Sequence, residues 1–170
     1  TRTADLFPDR TAVIYGERRY TWAESYARMR HLASALNGAG LGIGDTVSVI
    51  AANTPEMFEV HFGVPMAGCV LNTINTRLEA ETISYILENS DCRVLIVDTA
   101  FAPAVVPALE SLPADVRKNI RVVDIRDAAM GDLAPVGDVD YESFIAAGDP
   151  DYDWQMPVSY THLTLPTTTI

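Results

Sequence analysis

Along the chain, short stretches in which apolar residues are continuous or alternate are separated by longer stretches in which they recur every three or four positions. The first pattern marks strands and the second amphipathic helices. Thr11 to Tyr15 (TAVIY) and Arg18 to Thr21 (RRYT) flank Gly16-Glu17, so the pattern predicts an opening β-hairpin. Thr21 and Glu24 have capping-box spacing, and Tyr26, Met29, Leu32, Ala33 and Leu36 then share one face of a helix that Gly38 and Gly40 stop. Gly44-Asp45 turns into Thr46 to Ala51 (TVSVIA), whose apolar character predicts a strand covered on both faces. A second helix begins at Asn53-Thr54-Pro55-Glu56, where Thr54 caps and Pro55 suits the first helical position, and it runs to about Ala67 before Gly68.

Cys69 to Leu71 resumes a strand, and Arg77 to Asn89 a third helix, with Ile83, Ile86 and Leu87 inward and Thr76 and Glu79 as another capping-box pair. Arg93 to Val97 (RVLIV) is a second apolar strand, closed by Asp98. Beyond Thr99 the periodicity weakens. Phe101 to Leu109 is expected as a helix despite Pro103 and Pro107, Ile120 to Asp124 as a strand, and Tyr141 to Ala147 as a short helix. Between them Arg126 to Asp140, rich in Asp, Gly and Ala, is expected as a mobile surface excursion. Strands alternating with helices through short connections predict an α/β fold: a mostly parallel sheet flanked by helices, right-handed at each crossover, after an initial hairpin.

Charge narrows the partners. Twelve basic residues stand against 23 acidic ones, a net charge of -11, which is the wrong sign for a nucleic-acid backbone or an anionic membrane surface. No apolar run is long enough to predict a transmembrane segment and no basic leader precedes one, so a cytoplasmic location is expected. Cys69 and Cys92 lack CxxC spacing and adjacent histidines, and are expected as buried, reduced thiols. Lys118 is the single lysine, so chemistry that needs an ammonium has one candidate. Thr1 in place of Met is expected to reflect a cut N-terminus or a reading that begins inside a longer gene. Residues 158–170 (VSYTHLTLPTTTI) carry five threonines and no Asp, Glu, Lys or Arg, a composition break expected to be a foreign or disordered tail.

Recognisable chemistry is scarce. No GxxxxGK[ST] string occurs, and Gly38-x-Gly40-x-Gly42-x-Gly44 follows a predicted helix and precedes a strand, the reverse of the dinucleotide-binding order. His31 has no second ligand at helical spacing and His61 no HExxH arrangement, so both are expected as surface or half-buried histidines. Ser25, Ser34 and Ser48 sit in no GxSxG elbow. Glu56 and Glu59 are explained as acids that complement the dipole of one helix, in preference to a catalytic pair.

Longer strings carry more information. Phe7-Pro8-Asp9-Arg10-Thr11-Ala12-Val13-Ile14-Tyr15-Gly16, then Arg19-Tyr20-Thr21-Trp22-Ala23-Glu24, strongly resembles the opening of AMP-forming acyl-CoA synthetases, members of the acyl-adenylate-forming superfamily of AMP-binding enzymes. Gly42 to Val47, Asn53 to Glu56, Gly68 to Leu78 and Leu95 to Asp98 follow in the order of that family's N-terminal subdomain. Asn75-Thr76-Arg77-Leu78 is like the branch that activates short- and medium-chain acids. The resemblance spans roughly Ala4 to Pro157, which divides the chain into a partial N-terminal subdomain, 1–157, and the tail, 158–170.

The resemblance implies a two-step ligase that uses ATP, Mg2+ and CoA. A carboxylate attacks the α-phosphate of ATP and releases pyrophosphate, and the acyl-adenylate then passes its acyl group to the CoA thiol. The family's phosphate loop, later glutamate motif, ribose aspartate and C-terminal lysine have no counterpart here; the loop would follow Asp153 to Pro157, where Tyr160-Thr161-His162 echoes only its start. Accordingly no catalytic, cofactor-binding or metal-binding residue is assigned to this chain, which is expected to be inactive alone and to bind none of these ligands tightly. Asn72 to Arg77 either shapes the floor of the acyl or CoA region of a complete enzyme or is a turn into a capped helix. Two other readings stay open: a non-catalytic interaction module that reuses this subdomain, and an unrelated doubly wound nucleotide-binding protein. A subdomain cut from a larger body exposes apolar surface, which predicts partial aggregation on expression.

Overall fold

The computed structural model describes residues 2–155, and the expectations for the 158–170 tail lie outside the described residues. A short helix, α1 (Arg2–Leu6), precedes an antiparallel hairpin of β1 (Thr11–Tyr15) and β2 (Arg18–Thr21). The long helix α2 (Trp22–Gly38) leads to β3 (Thr46–Ile50), α3 (Pro55–Met66), β4 (Val70–Thr73), α4 (Ala80–Asn89) and β5 (Cys92–Asp98). Then come α5 (Ala102–Glu110), α6 (Ala114–Arg117), β6 (Arg121–Ile125), β7 (Val139–Asp140) and α7 (Tyr141–Ala146). Strands β3 to β7 form one parallel sheet in the order β4-β3-β5-β6-β7.

That order reverses direction once. From β3 the chain steps to β4 on one side, then returns past β3 to β5 and continues to β6 and β7. Parallel crossovers keep one hand, so steps in opposite directions place their helices on opposite faces. Two separate apolar cores bear this out. Val47 and Val49 of β3 and Val94 and Ile96 of β5 pack with Leu32 and Leu36 of α2, Val60 and Val64 of α3, and Phe144 of α7. On the other face Ile50, Leu95 and Val97 pack with Ile83 and Leu87 of α4 and Val105 and Leu109 of α5. Neighbouring residues of β5 thus enter different cores, which is why its sequence is continuously apolar instead of alternating.

Local signals account for most element ends. Thr21 accepts a hydrogen bond from the Glu24 amide while the Glu24 carboxylate accepts from the Thr21 amide at 2.7 Å, completing the predicted capping box. Thr54 caps α3, and Asp140 caps α7 by accepting from the Ser143 amide at 2.9 Å. The third helix differs from its sequence signal. Its first residue is Ala80, and Thr76 and Glu79 make no capping box: Glu79 is the cap residue without a side-chain bond. The Asn75 side chain instead accepts from the Arg77 amide at 2.9 Å, a local turn that competes with helix over residues 75–79. The strand expected from Cys69 runs from Val70 to Thr73.

The excursion from Arg126 to Asp140 is more ordered than its composition predicts. It contains a 3-10 turn at Ala128–Met130 and the short β7. Its return is pinned by Asp124, whose buried carboxylate accepts from the amides of Val136 and Gly137 at 2.9–3.3 Å. Burial pushes the Asp124 carboxyl up against the opposing pull of those amides.

Helix α7 ends against α2 with no room to spare. A Cβ built on Gly148 would lie 2.1 Å from the His31 carbonyl oxygen and 3.0 Å from the Ala35 nitrogen, all backbone. Gly148→Ala therefore separates α7 from α2 and should lower stability by about 1–3 kcal/mol in urea unfolding. Gly42→Ala, where a Cβ meets nothing within 4 Å, should fall within about 0.5 kcal/mol of the parent.

Candidate functional site

In sheets of this order ligands bind beyond the carboxyl ends of the strands, where the order reverses. Here that point lies between β3 and β5. The loop that leaves β3 and the turn that leaves β5 meet there through Asp98, which is fully buried. Its carboxylate accepts from the Ala52 amide at 3.5 Å and from the Ala100 amide at 3.0 Å. Beyond β6, Asp127 accepts from the Ala129 amide at 3.0 Å and from the Tyr15 hydroxyl, which reaches in from the hairpin. That hydrogen bond to a carboxylate holds the Tyr15 phenol above its ordinary range.

The crevice is therefore furnished with two carboxylates that brace backbone. Amides that elsewhere in such folds face a phosphate are here turned to Asp98 and Asp127, and the local charge is negative. These residues do not fit a triphosphate. Among the described residues no group of three or more His, Cys, Asp or Glu side chains is placed to hold a metal ion.

Two open clefts flank the sheet. One, of about 610 Å³, lies between β1 and the start of α3, with Val13, Met57, Phe58 and Phe62 among its walls and no carboxylate or arginine. Of its walls, Phe58 and Phe62 meet edge to face with ring centroids 5.2 Å apart, and Trp22 meets Phe58 in the same way at 6.4 Å. The other, of about 560 Å³, runs from Ile43 past Pro65 and Cys69 to Tyr152 and Gln155. Both lie in the size range of small-ligand sites, but neither gathers the convergent polar groups that fix a ligand's orientation.

The strongest polar constellation lies elsewhere: Glu56 stands in the first turn of α3 as the dipole reading requires, but both it and Glu59, one turn on, are held by arginines. Both glutamates are buried, at 4% and 2% exposure. Glu56 is gripped by Arg18 of β2 at 2.6 Å. Glu59 takes the Arg28 guanidinium of α2 at 2.5 and 3.2 Å and the Tyr141 hydroxyl of α7 at 2.9 Å. Arg28 also holds Glu142 at 2.6 and 2.8 Å and lies over the Tyr20 ring. Burial opposes the Arg28 charge, yet its bonds to Glu142 and Glu59 outweigh that and push its ionisation up. Burial pushes the Glu59 carboxyl up, against the pull of Arg28. The periodicity of α3 hid this because its acids occupy positions otherwise filled by apolar residues; the countercharges lie 38 and 31 residues away in sequence.

The other residues weighed in the sequence take the expected places. His31 is half-buried with Nδ1 2.9 Å from the Gly148 carbonyl, and exposed His61 has Nδ1 2.7 Å from the Met57 carbonyl. The two histidines are not brought together with acids or cysteines. Ser48 is buried and accepts from Asn72 at 3.1 Å, cross-linking β3 and β4. Cys69 and Cys92 are free and buried. Burial, reinforced by Asp45, pushes the Cys69 thiol up to about 11.

The profile of the AMP-binding enzyme family matches residues 1–153. The chain belongs to that family. It is 40% identical over 164 residues to the acetate–CoA ligase of Humulus lupulus, covering 92% of this chain and 29% of that protein. The peroxisomal acetate/butyrate–CoA ligase of Arabidopsis thaliana is also 40% identical, with the same coverage. Among solved structures, a benzoate CoA ligase from Burkholderia xenovorans LB400 superposes with a TM-score of 0.78 at 24% identity, over 92% of this chain and 29% of that one. This AMP-binding family member thus spans about 29% of the length of the curated relatives it matches.

Two measurements check the electrostatics. In Arg28→Leu, Glu59 stays buried without its countercharge, so stability should fall by about 3–5 kcal/mol at pH 7. A buried carboxyl with a raised folded pKa contributes stability in its protonated form, present below the unfolded value and lost as pH rises through the folded one. The Arg28→Leu deficit in urea midpoint should therefore shrink between pH 7 and pH 4.5; a constant deficit contradicts the buried charge. For Cys69, a rise from 9.0 to about 11 leaves about 100-fold less thiolate near neutral pH. Its alkylation by iodoacetamide at pH 8 should be at least that much slower in the folded chain than in urea.

Proposed function

We propose that this chain is the amino-terminal part of an AMP-forming acid–CoA ligase whose acid is a short- or medium-chain carboxylate. The observation that carries the reading is the 40% identity over 92% of the chain to an acetate–CoA ligase. A second relative of equal identity is named for acetate and butyrate, which supports a small acid. The parent enzyme would use ATP, Mg2+ and CoA: carboxylate and ATP give acyl-adenylate and pyrophosphate, and acyl-adenylate and CoA give the thioester and AMP. Within that enzyme the described residues act as scaffold. Asp98 braces the loops at the switch point and Asp127 the turn beyond β6, and the positive groups needed around a transferring phosphoryl come from outside this chain. No helix among the described residues is long and apolar enough to cross a membrane, and two buried free thiols fit a reducing compartment. We place the enzyme in the cytoplasm, while several of the relatives are named as peroxisomal.

The test has two arms. The 170-residue chain, given ATP, Mg2+ and acetate, butyrate or benzoate, should release no pyrophosphate above the enzyme-free control; acid-dependent release overturns the scaffold role. Residues 2–155 are then exchanged for the matching segment of the Humulus acetate–CoA ligase. A soluble hybrid that forms acetyl-CoA supports the reading, and a folded hybrid with no ligase activity on any of the three acids overturns it.

A further inference from the structure

One asparagine ties three segments together. Asn37, in the last turn of α2, donates through Nδ2 to the carbonyls of Leu41 at 2.9 Å and of Ala67, the C-cap of α3, at 3.0 Å, and its Oδ1 accepts from the Tyr152 hydroxyl. Both amide hydrogens and the amide oxygen are thus used. Tyr152 belongs to residues 149–155, a strap without helix or strand that packs on α2. Asp151 pairs there with Arg30 at 3.0 Å and the Trp154 indole donates to Tyr26 at 3.0 Å. The Asp151 side chain is 86% exposed, and an ion pair open to solvent contributes little, so Tyr152 and Trp154 hold the strap.

The residue after Asn37 is Gly38, and no other asparagine of the chain precedes a glycine. An Asn-Gly peptide can cyclise. The Gly38 backbone nitrogen attacks Cγ of Asn37, the new C–N bond closes a five-membered imide, and Nδ2 leaves as ammonia with the Gly38 amide proton. Water then opens the imide at either carbonyl, giving aspartate or isoaspartate. Glycine permits the ring closure because it has no Cβ to crowd the attack. Gly38 is exposed, and a Cβ built on it meets nothing within 4 Å, so no neighbouring segment obstructs the approach. Helical backbone at Asn37 keeps the nitrogen away from Cγ, so cyclisation waits for the last turn of α2 to open, and Gly38 weakens that turn.

We propose that Asn37-Gly38 is a deamidation site, and that conversion of Asn37 unties the 149–155 strap from α2 and α3. Aspartate has the shape of asparagine but only acceptors, so its carboxylate would face the Leu41 and Ala67 carbonyls across distances now spanned by hydrogen bonds. The new charge would also lie at the C-terminal ends of α2 and α3, the negative poles of both helix dipoles. The side chain must swing away, and the Tyr152 hydroxyl loses its acceptor. Isoaspartate goes further, because it adds a carbon to the backbone of the last turn. Tyr152 lines the 560 Å³ cleft, so a released strap widens it. The reaction consumes only water and gives up ammonia, so the modified form accumulates with the age of the protein.

Peptide-mapping mass spectrometry of the 170-residue chain held at pH 8 tests the site. Asn37 should convert ahead of the exposed Asn53, Asn75, Asn89 and Asn119, each followed by a residue with a side chain, and isoaspartate should form alongside aspartate. In Gly38→Ala, where the added methyl meets open space, conversion at Asn37 should fall about tenfold or more with the fold unchanged. An intact Asn37 after any of those four has converted, or an unaltered rate in Gly38→Ala, overturns the site. Its consequence is read by amide hydrogen exchange in Asn37→Asp, where residues 151–155 should exchange about tenfold faster than in the parent. Should that variant fail to fold, the converted and unconverted fractions of the aged parent chain are separated by ion exchange and compared instead. Equal exchange over 151–155 in the pair that is compared overturns the release of the strap.

Discussion

The single hand of parallel crossovers governs this molecule more than any one contact. Because β3 is the first parallel strand and its neighbours are laid down on both sides, the helices are forced onto both faces and the middles of the central strands are shut off from water. That requirement shows in the side chains: Val47, Val49, Ile50, Val94, Leu95, Ile96 and Val97 are all fully buried. It also fixes where the sheet opens a crevice, between β3 and β5.

On the α2 face the layers are held by charge as well as by apolar packing. Arg28 touches acids from two other helices and an aromatic ring from the hairpin, so a single side chain sets the mutual position of α2, α3, α7 and β2. A buried pair of this sort does not by itself make a protein stable, since its desolvation offsets much of the attraction. Its effect is geometric. Glu59 has hydrogen-bonding partners in one arrangement of the three helices, and any slip strands a carboxylate in an apolar layer.

The sheet, the hairpin and the main helices were legible because each rests on local chemistry: a capping box at Thr21, proline after Thr54, and runs that are apolar on both faces. What escaped the sequence is non-local. The start of α4 is set by the Asn75 side chain, which outcompetes a capping pair with correct spacing. Asp124 gathers amides twelve and thirteen residues downstream, turning a stretch with loop composition into an ordered return. Glu56 and Glu59 read only as acids complementing a helix dipole because nothing in α3 announces that Arg18 and Arg28 face them. Family resemblance, carried by long strings, was legible throughout, whereas chemistry was not, because the buried acids that could suggest a site hold backbone amides or arginines.

That use of the acids decides what kind of part this is. A crevice that is to hold phosphates must offer free amides or cations, and here Asp98 and Asp127 have consumed the amides nearest the switch point and added negative charge. Chemistry at this edge then requires donors brought in from another segment, strong enough to overcome two carboxylates.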